Sequence, residues 1–188
     1  QVADYLPEGV AITVHSENGF AGIDESADAS NLDVDIINSG GTYVTAVPRV
    51  CYFDTATSFG LVRGGHVQAT VLGAMQVAEN GDLANWMVPG KKVAGMGGAM
   101  DLVVGAKKVI ITMLHTQKGA HKILKECTLP LTAPKCVDKI ITEMGVMEVT
   151  DKGLVVTELH KDYSKEDIQE ATGCDLIFAD DLKEMDVE

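Results

Sequence analysis

Aromatic residues are scarce in this chain, at 5% of the sequence with Trp86 as the only tryptophan, which together with its glycine pairs implies close approach of backbone segments. Cysteine is equally sparse. Cys51, Cys127, Cys136 and Cys174 lie far apart with no CxxC and no paired Cys/His cluster, which argues against a disulfide scaffold and a zinc site. Four isolated thiols predict a reducing, cytoplasmic setting. Positive charge is short as well: 15 Lys+Arg face 28 Asp+Glu, a net charge of −13. Long-range electrostatics therefore repel nucleic acid and anionic membrane, and neither is expected as a partner. No apolar run approaches the roughly 18 residues of a spanning helix. The opening Gln1-Val2-Ala3-Asp4 carries none of the basic, apolar and cleavage regions of a signal peptide. The histidines at 15, 66, 115, 121 and 160 form no HExxH pattern, so hydrogen-bonded or exposed roles are expected for them and no metal site is predicted.

What the chain does have is aliphatic residues in short bursts. With 188 residues, 46% of them hydrophobic, roughly 70% of the unfolded surface can be buried in a single domain spanning 1–188. β-Branched runs separated by glycine predict strands at Val10–Val14, Val67–Leu72, Val109–Met113, Val146–Val149, Leu154–Leu159 and Leu176–Phe178. Val109 to Leu114 is apolar on both faces, as in a parallel strand between layers. Helices are expected around Thr57–Val62, Met100–Ala106 and Ser164–Thr172, the last opened by Ser164 with Asp167 three residues on. The fold class is therefore α/β, a layered and largely parallel open sheet with helices on both faces. Residues 24–41, with five acids and the closing Ser39-Gly40-Gly41, read as a solvated surface loop, and the acidic tail 180–188 as frayed or lying on the surface.

Two places offer chemistry. Val14-His15-Ser16-Glu17-Asn18-Gly19 is a strand that stops at a polar turn, where open α/β sheets put their ligands. Glu17 is either an exposed turn acid or a group aimed into that crevice; the residues alone leave both open. Gly95-Met96-Gly97-Gly98-Ala99-Met100 misses the third glycine of the dinucleotide fingerprint. A tight turn is its better reading on composition, with an anion-binding helix start as the alternative. The pairs Gly40-Gly41, Gly64-Gly65 and Gly97-Gly98 imply close backbone approach or turns. Lys91, Lys92, Lys107 and Lys108 form no evident phosphate cradle, so a polyanionic ligand needs a local positive site or a partner chain.

Taken in order, Ser16-Glu17-Asn18-Gly19, Arg63-Gly64-Gly65-His66-Val67 with Val71-Leu72-Gly73-Ala74, Ala84-Asn85-Trp86-Met87-Val88-Pro89-Gly90-Lys91, and Gly95-Met96-Gly97-Gly98-Ala99-Met100-Asp101-Leu102 closely resemble the β subunit of family I CoA transferases. The resemblance runs on through Cys127-Thr128-Leu129-Pro130-Leu131-Thr132 to about Leu182. It implies that Glu17 is a nucleophile forming a glutamyl-CoA thioester, that the amides of Gly98 and Ala99 stabilise the oxyanion, and that Ser16, Asn18, Gly19, Gly64, Gly65 and Gly97 line the substrate site. It implies a short-chain acyl-CoA:carboxylate exchange of the acetate, acetoacetate, butyrate or succinyl type, with ping-pong kinetics. Coenzyme A is then a substrate, with no metal and no cofactor, and an α subunit completes an α2β2 heterotetramer. A hydrolase of the same family and a non-catalytic acyl-CoA-binding domain are the competing expectations. Family members carry a further helix and a strand-loop ahead of the position of Val2, so an N-terminal helix and strand are expected to be missing here.

Overall fold

The β-branched bursts do become strands, and their partners set how far each one runs. The computed structural model describes residues 2–7, 9–91, 93 and 95–187. These divide into two units, Gln1–Gly64 and Gly65–Glu188, across what the sequence reads as a single domain.

The first unit opens with a 3-10 turn, Val2–Tyr5, followed by β1 (Val14–Ser16), β2 (Phe20–Ser26), β3 (Val44–Tyr52) and α1 (Thr55–Arg63). The three strands form an antiparallel sheet in the order β1-β2-β3. Pairing starts at Val14 opposite Ile23, so the strand expected from Val10 begins only at its last residue; among the described residues, 10–13 have no ladder partner. Phe20, Ile23 and Val44 make a small core, packed by Ala3, Val14, Ile36 and Val50. Asp54 caps α1, its carboxylate accepting from the Thr57 amide at 2.7 Å, which satisfies one orphan donor of the first turn.

The second unit holds β4 (Thr70–Leu72), β5 (Gln76–Ala78), β6 (Leu83–Ala84), α2 (Ala99–Gly105), β7 (Val109–Thr112), β8 (Thr116–Gln117), β9 (Ala120–His121), β10 (Ile123–Leu124), β11 (Lys139–Ile141), β12 (Gly145–Thr150), β13 (Gly153–Leu159), α3 (Lys165–Glu170) and β14 (Leu176–Glu184). Its main sheet has the order β14-β13-β12-β11-β7-β4. The class is α/β as expected, and the sheet is mixed. Three of its pairings are parallel, while β12 runs antiparallel to both neighbours. Short hairpins enter and leave β12, and a hairpin connection can only reverse the chain.

Register aligns the core. Leu72, Ile111, Ile140, Met147, Val156 and Phe178 sit opposite one another from strand to strand, and all six belong to one apolar cluster that also takes Val103 of α2 and Ile168 of α3. Both helices therefore cover the same face, where the sequence predicted helices on both. The reason is topological. The crossovers β4-α2-β7 and β13-α3-β14 join parallel strands and advance the same way across the sheet, and right-handed crossovers then lie on one side. The opposite row, Val71, Ile110, Lys139, Glu148, Val155 and Ile177, is half-buried to exposed.

The acidic tail lies on the surface, as one of its two readings had it, and its first part is strand and not frayed. Strand β14 continues through Glu184, with Lys183 opposite Glu158 and Glu184 opposite Leu159 after a shift of register, because Leu176, Phe178 and Leu182 pack on the core. At the other helix, Ser164 and Asp167 form the full capping box expected from their spacing.

His115, fully buried, locks three segments of this unit together. Its Nε2 donates to Thr172 Oγ1 at 2.8 Å, and that hydroxyl donates on to the Ile168 carbonyl at 2.7 Å. Its Nδ1 lies 2.9 Å from Thr142 Oγ1, an oxygen that also receives the Met144 and Gly145 amides. Burial pushes the imidazole down to about 4, which favours the neutral ring.

Candidate active site

Glu17, Asn18 and Gly19 form the turn of the β1-β2 hairpin. The Gly19 amide donates to the Ser16 carbonyl at 3.1 Å. Each residue around Glu17 is held separately. Ser16 is buried, and its hydroxyl accepts from the Ser39 amide at 2.9 Å. Asn18 donates through Nδ2 to the Ile37 carbonyl at 2.7 Å. The Gly19 carbonyl accepts from the Phe53 amide at 2.8 Å. Gly19 itself has φ +138°, and a Cβ there would lie 2.5 Å from the Phe53 carbonyl oxygen, so only glycine fits. Glu17 is half-buried at the tip.

Two of these contacts, Ser39 and Ile37, come from within the stretch read as a solvated loop. Asp24 and Glu25 already lie on β2. Asn38 then folds the next segment back on itself, its Oδ1 accepting from the Gly40 amide at 2.9 Å and the Thr42 amide at 3.1 Å. That turn presents the Ile37 carbonyl and the Ser39 amide to the hairpin. Sequence reading missed both, and the Asn-Ser-Gly-Gly run, which favours such a turn, was the available signal.

His15 sits beside the nucleophile candidate. Its Nε2 lies 3.0 Å from Ser58 Oγ of α1, and its ring is 5.7 Å from that of Phe53. Burial pushes its imidazole below the ordinary value, and the Glu17 carboxylate opposes that shift. The pair is thus electrostatically in touch, with the neutral imidazole favoured.

Gly64 ends α1, its amide donating to the Gly60 carbonyl at 2.9 Å, and Gly65 follows with φ +72°. This pair is helix-terminating backbone. In the second unit Gly97 has φ +56° and Gly98 is the buried N-cap of α2. The Ala99 amide closes a turn on the Met96 carbonyl at 3.4 Å, and the Gly98 carbonyl takes the first helical bond, from Leu102, at 3.0 Å. Ala99 therefore begins a helix with its amide only weakly engaged. Trp86 is half-buried with its indole donating to the Leu131 carbonyl at 3.2 Å. Among the described residues no His/Cys/Asp/Glu cluster suits a metal, and no helix is long and apolar enough to cross a membrane.

Comparison with known proteins supplies the family. The family described as Coenzyme A transferase matches residues 1–171, and the chain belongs to that family. It is 50% identical over 188 residues to acetate CoA-transferase subunit beta of Haemophilus influenzae, covering 100% of this chain and 84% of that protein. It is also 50% identical over 186 residues to succinyl-CoA:3-ketoacid coenzyme A transferase 2B, mitochondrial, of Mus musculus, covering 97% of this chain and 36% of that protein. The chain thus spans about a third of that relative's length. A crystal structure of the acyl-CoA transferase YdiF from Escherichia coli O157:H7 superposes with a TM-score of 0.71 at 21% identity, covering 93% of this chain and 35% of that one; at that identity the likeness concerns the fold.

Proposed function

We propose that the chain is the β subunit of a short-chain acyl-CoA:carboxylate CoA transferase and that Glu17 is its nucleophile. The observation that carries the reading is the three-point clamp, which fixes the residues around Glu17 through Ser39, Ile37 and Phe53 and leaves its carboxylate at a hairpin tip. Such positioning supplies much of the rate in acyl transfer. The carboxylate attacks the thioester carbonyl, and collapse of the tetrahedral oxyanion expels CoA thiolate and leaves a mixed anhydride. The thiolate then attacks the glutamyl carbonyl carbon and releases the first carboxylate, giving glutamyl-CoA. An acceptor carboxylate reverses both steps, so kinetics are ping-pong. The Gly98 and Ala99 amides are the proposed oxyanion donors, each worth roughly 3 to 4 kcal/mol in the transition state. The relatives' description as β subunits supports an α chain as partner, in an α2β2 assembly.

Cysteine does not compete well as nucleophile. Burial pushes Cys127, Cys136 and Cys174 up to about 11, leaving them as thiols at neutral pH. All four cysteines are free, which supports the cytoplasmic setting proposed with this function. The test is intact mass after acetyl-CoA or acetoacetyl-CoA is added without acceptor, with the α chain present. One hydroxylamine-sensitive CoA adduct mapping to Glu17 is expected; an adduct on Cys51, or free CoA released with no adduct and no exchange into acceptor acids, defeats the reading.

A further inference from the structure

The lysines that seem dispersed in sequence are partly gathered by the fold. A cavity of about 320 Å³ in the second unit is lined by Met75, Gln76, Val88, Lys91, Gln117, Ala120, His121, Lys122 and Leu129. In a chain with 28 acids to 15 Lys+Arg, this lining has two lysines and a histidine and no carboxylate. A neighbouring cavity of about 370 Å³, which shares His121, is lined instead by Asp167 and Glu170 among others. The charge of the first cavity is therefore a local feature, opposite to that of the chain.

Both cations are held by backbone. Lys91 ends the turn Val88-Pro89-Gly90-Lys91, where its amide donates to the Val88 carbonyl at 3.1 Å and Gly90 has φ +79°. Proline followed by a left-handed glycine is the type II pattern. Lys122 follows β9, and its carbonyl accepts from the Val77 amide of β5 at 2.9 Å. Its side chain is half-buried, burial pushes the ammonium below its ordinary value, and the Glu143 carboxylate opposes that shift. That carboxylate is already bound to the His115 amide at 2.9 Å. Another wall is set by Gln76, whose Oε1 accepts from the Thr128 and Leu129 amides at 2.9 and 3.0 Å. Met75, Val88 and Leu129 give the cavity an apolar side next to its cationic one.

We propose that this cavity binds the phosphate-bearing part of an anionic ligand, with Lys91 and Lys122 neutralising the phosphates, His121 beside them and the apolar wall taking the adjoining carbon skeleton. On the transferase reading, on which the ligand's identity rests, the phosphates are those of coenzyme A. A paired cationic cavity answers the need of an acidic chain for a local positive site. Free pyrophosphate shares the recognised chemistry, and the two sources are separable.

The experiment is calorimetric titration of the full chain at low salt with coenzyme A, with inorganic pyrophosphate and with pantetheine, which lacks the nucleotide. Coenzyme A and pyrophosphate are expected to bind, and the K91Q/K122Q double variant to weaken both at least tenfold while leaving pantetheine unchanged. K122R should restore most of the K122Q loss, and E170Q in the acidic cavity should change nothing; a thermal melt of each variant separates binding loss from misfolding. Coenzyme A affinity unaffected by K91Q/K122Q overturns the proposal and leaves the Glu17 chemistry standing. Lysine-dependent pyrophosphate binding without coenzyme A binding keeps the anion site and removes the transferase as its reason. Absence of binding by either phosphate overturns the site, and the Glu17 adduct then decides the reaction on its own.

Discussion

The two units hold their residues in place by different means. In Gln1–Gly64 the apolar cluster is built on Phe20, Ile23 and Val44, and the turn at Glu17 is fixed by polar bonds to Ser39, Ile37 and Phe53. In Gly65–Glu188 a cross-strand row of aliphatic residues runs through the main sheet and gathers both helices onto one face. The contrast teaches where function and stability separate. A hydrophobic row is non-directional and resists unfolding, while hydrogen bonds are directional and fix the backbone that carries Glu17. Substitutions in the first unit should therefore act on turnover before stability, and those in the second on stability before turnover.

The largest expected effect tests the first half of that contrast. Glu17→Gln keeps the shape of a half-buried side chain and removes the attacking carboxylate. Exchange of CoA between carboxylic acids should fall by about 10⁴-fold or more, the order seen when a covalent nucleophile is lost, with the melting temperature unchanged within about 2 °C. An equal loss of stability would mean that Glu17 serves the hairpin and not the chemistry.

The next tests the second half. Ile140 is fully buried in the middle of the sheet, between Ile111 and Met147, so Ile140→Ala should cost about 2 to 5 kcal/mol in urea unfolding. Residual activity per folded molecule should stay near that of the parent. Loss of activity at full stability would break the proposed division.

A third prediction concerns acid. His115 is neutral in the fold at a value near 4, against an ordinary 6.5 in the unfolded chain. Above pH 6.5 both states carry a neutral ring and this group adds no pH dependence. Between 6.5 and 4 the unfolded state takes a proton that the folded state refuses, so stability falls as pH drops, by roughly 3 kcal/mol in all. Chemical denaturation from pH 7 to 4 should show the fall, and His115→Gln should flatten it. An unchanged slope in that variant would assign the acid sensitivity elsewhere.

How much of this was legible in the sequence follows from the range of each interaction. Local signals read well: α1 covers the expected 57–62, and the Ser164-Asp167 capping box forms as its spacing implies. Partner-dependent features did not. Val10 to Thr13 carries strand-like residues but has no ladder partner among the described residues, while the acidic end of β14 has no strand-like composition and is paired by β13 at Lys183 and Glu184. The one-faced helix layer follows from strand order, which no single segment encodes. At the site, Glu17, Asn18 and Gly19 were visible as a turn, yet their clamp from Ile37 and Ser39 uses backbone atoms, which any residue type possesses. Lys91 and Lys122 lie too far apart in sequence to advertise a shared cavity.

The smallest expected effect sharpens the comparison most, because it asks whether one clamp bond acts on chemistry alone. Asn18 lies at an exposed turn, and its Nδ2 donates to the Ile37 carbonyl at 2.7 Å. Asn18→Ala removes that bond while water can solvate the exposed carbonyl, so the stability cost should be no more than about 1 kcal/mol. Glu17, next in sequence, loses one of three restraints on its turn, and a small misplacement of a reacting group carries a disproportionate penalty in rate. Turnover should drop about 10- to 100-fold with little change in acyl-CoA affinity, since a positioning bond is felt most in the transition state. Asn18→Asp leaves an acceptor where a donor is needed and should not rescue, whereas Asn18→Gln should recover part of the rate if its longer side chain reaches Ile37. A variant whose affinity falls as steeply as its turnover would show that Asn18 binds substrate directly, and the clamp would then belong to recognition and not to the placement of Glu17.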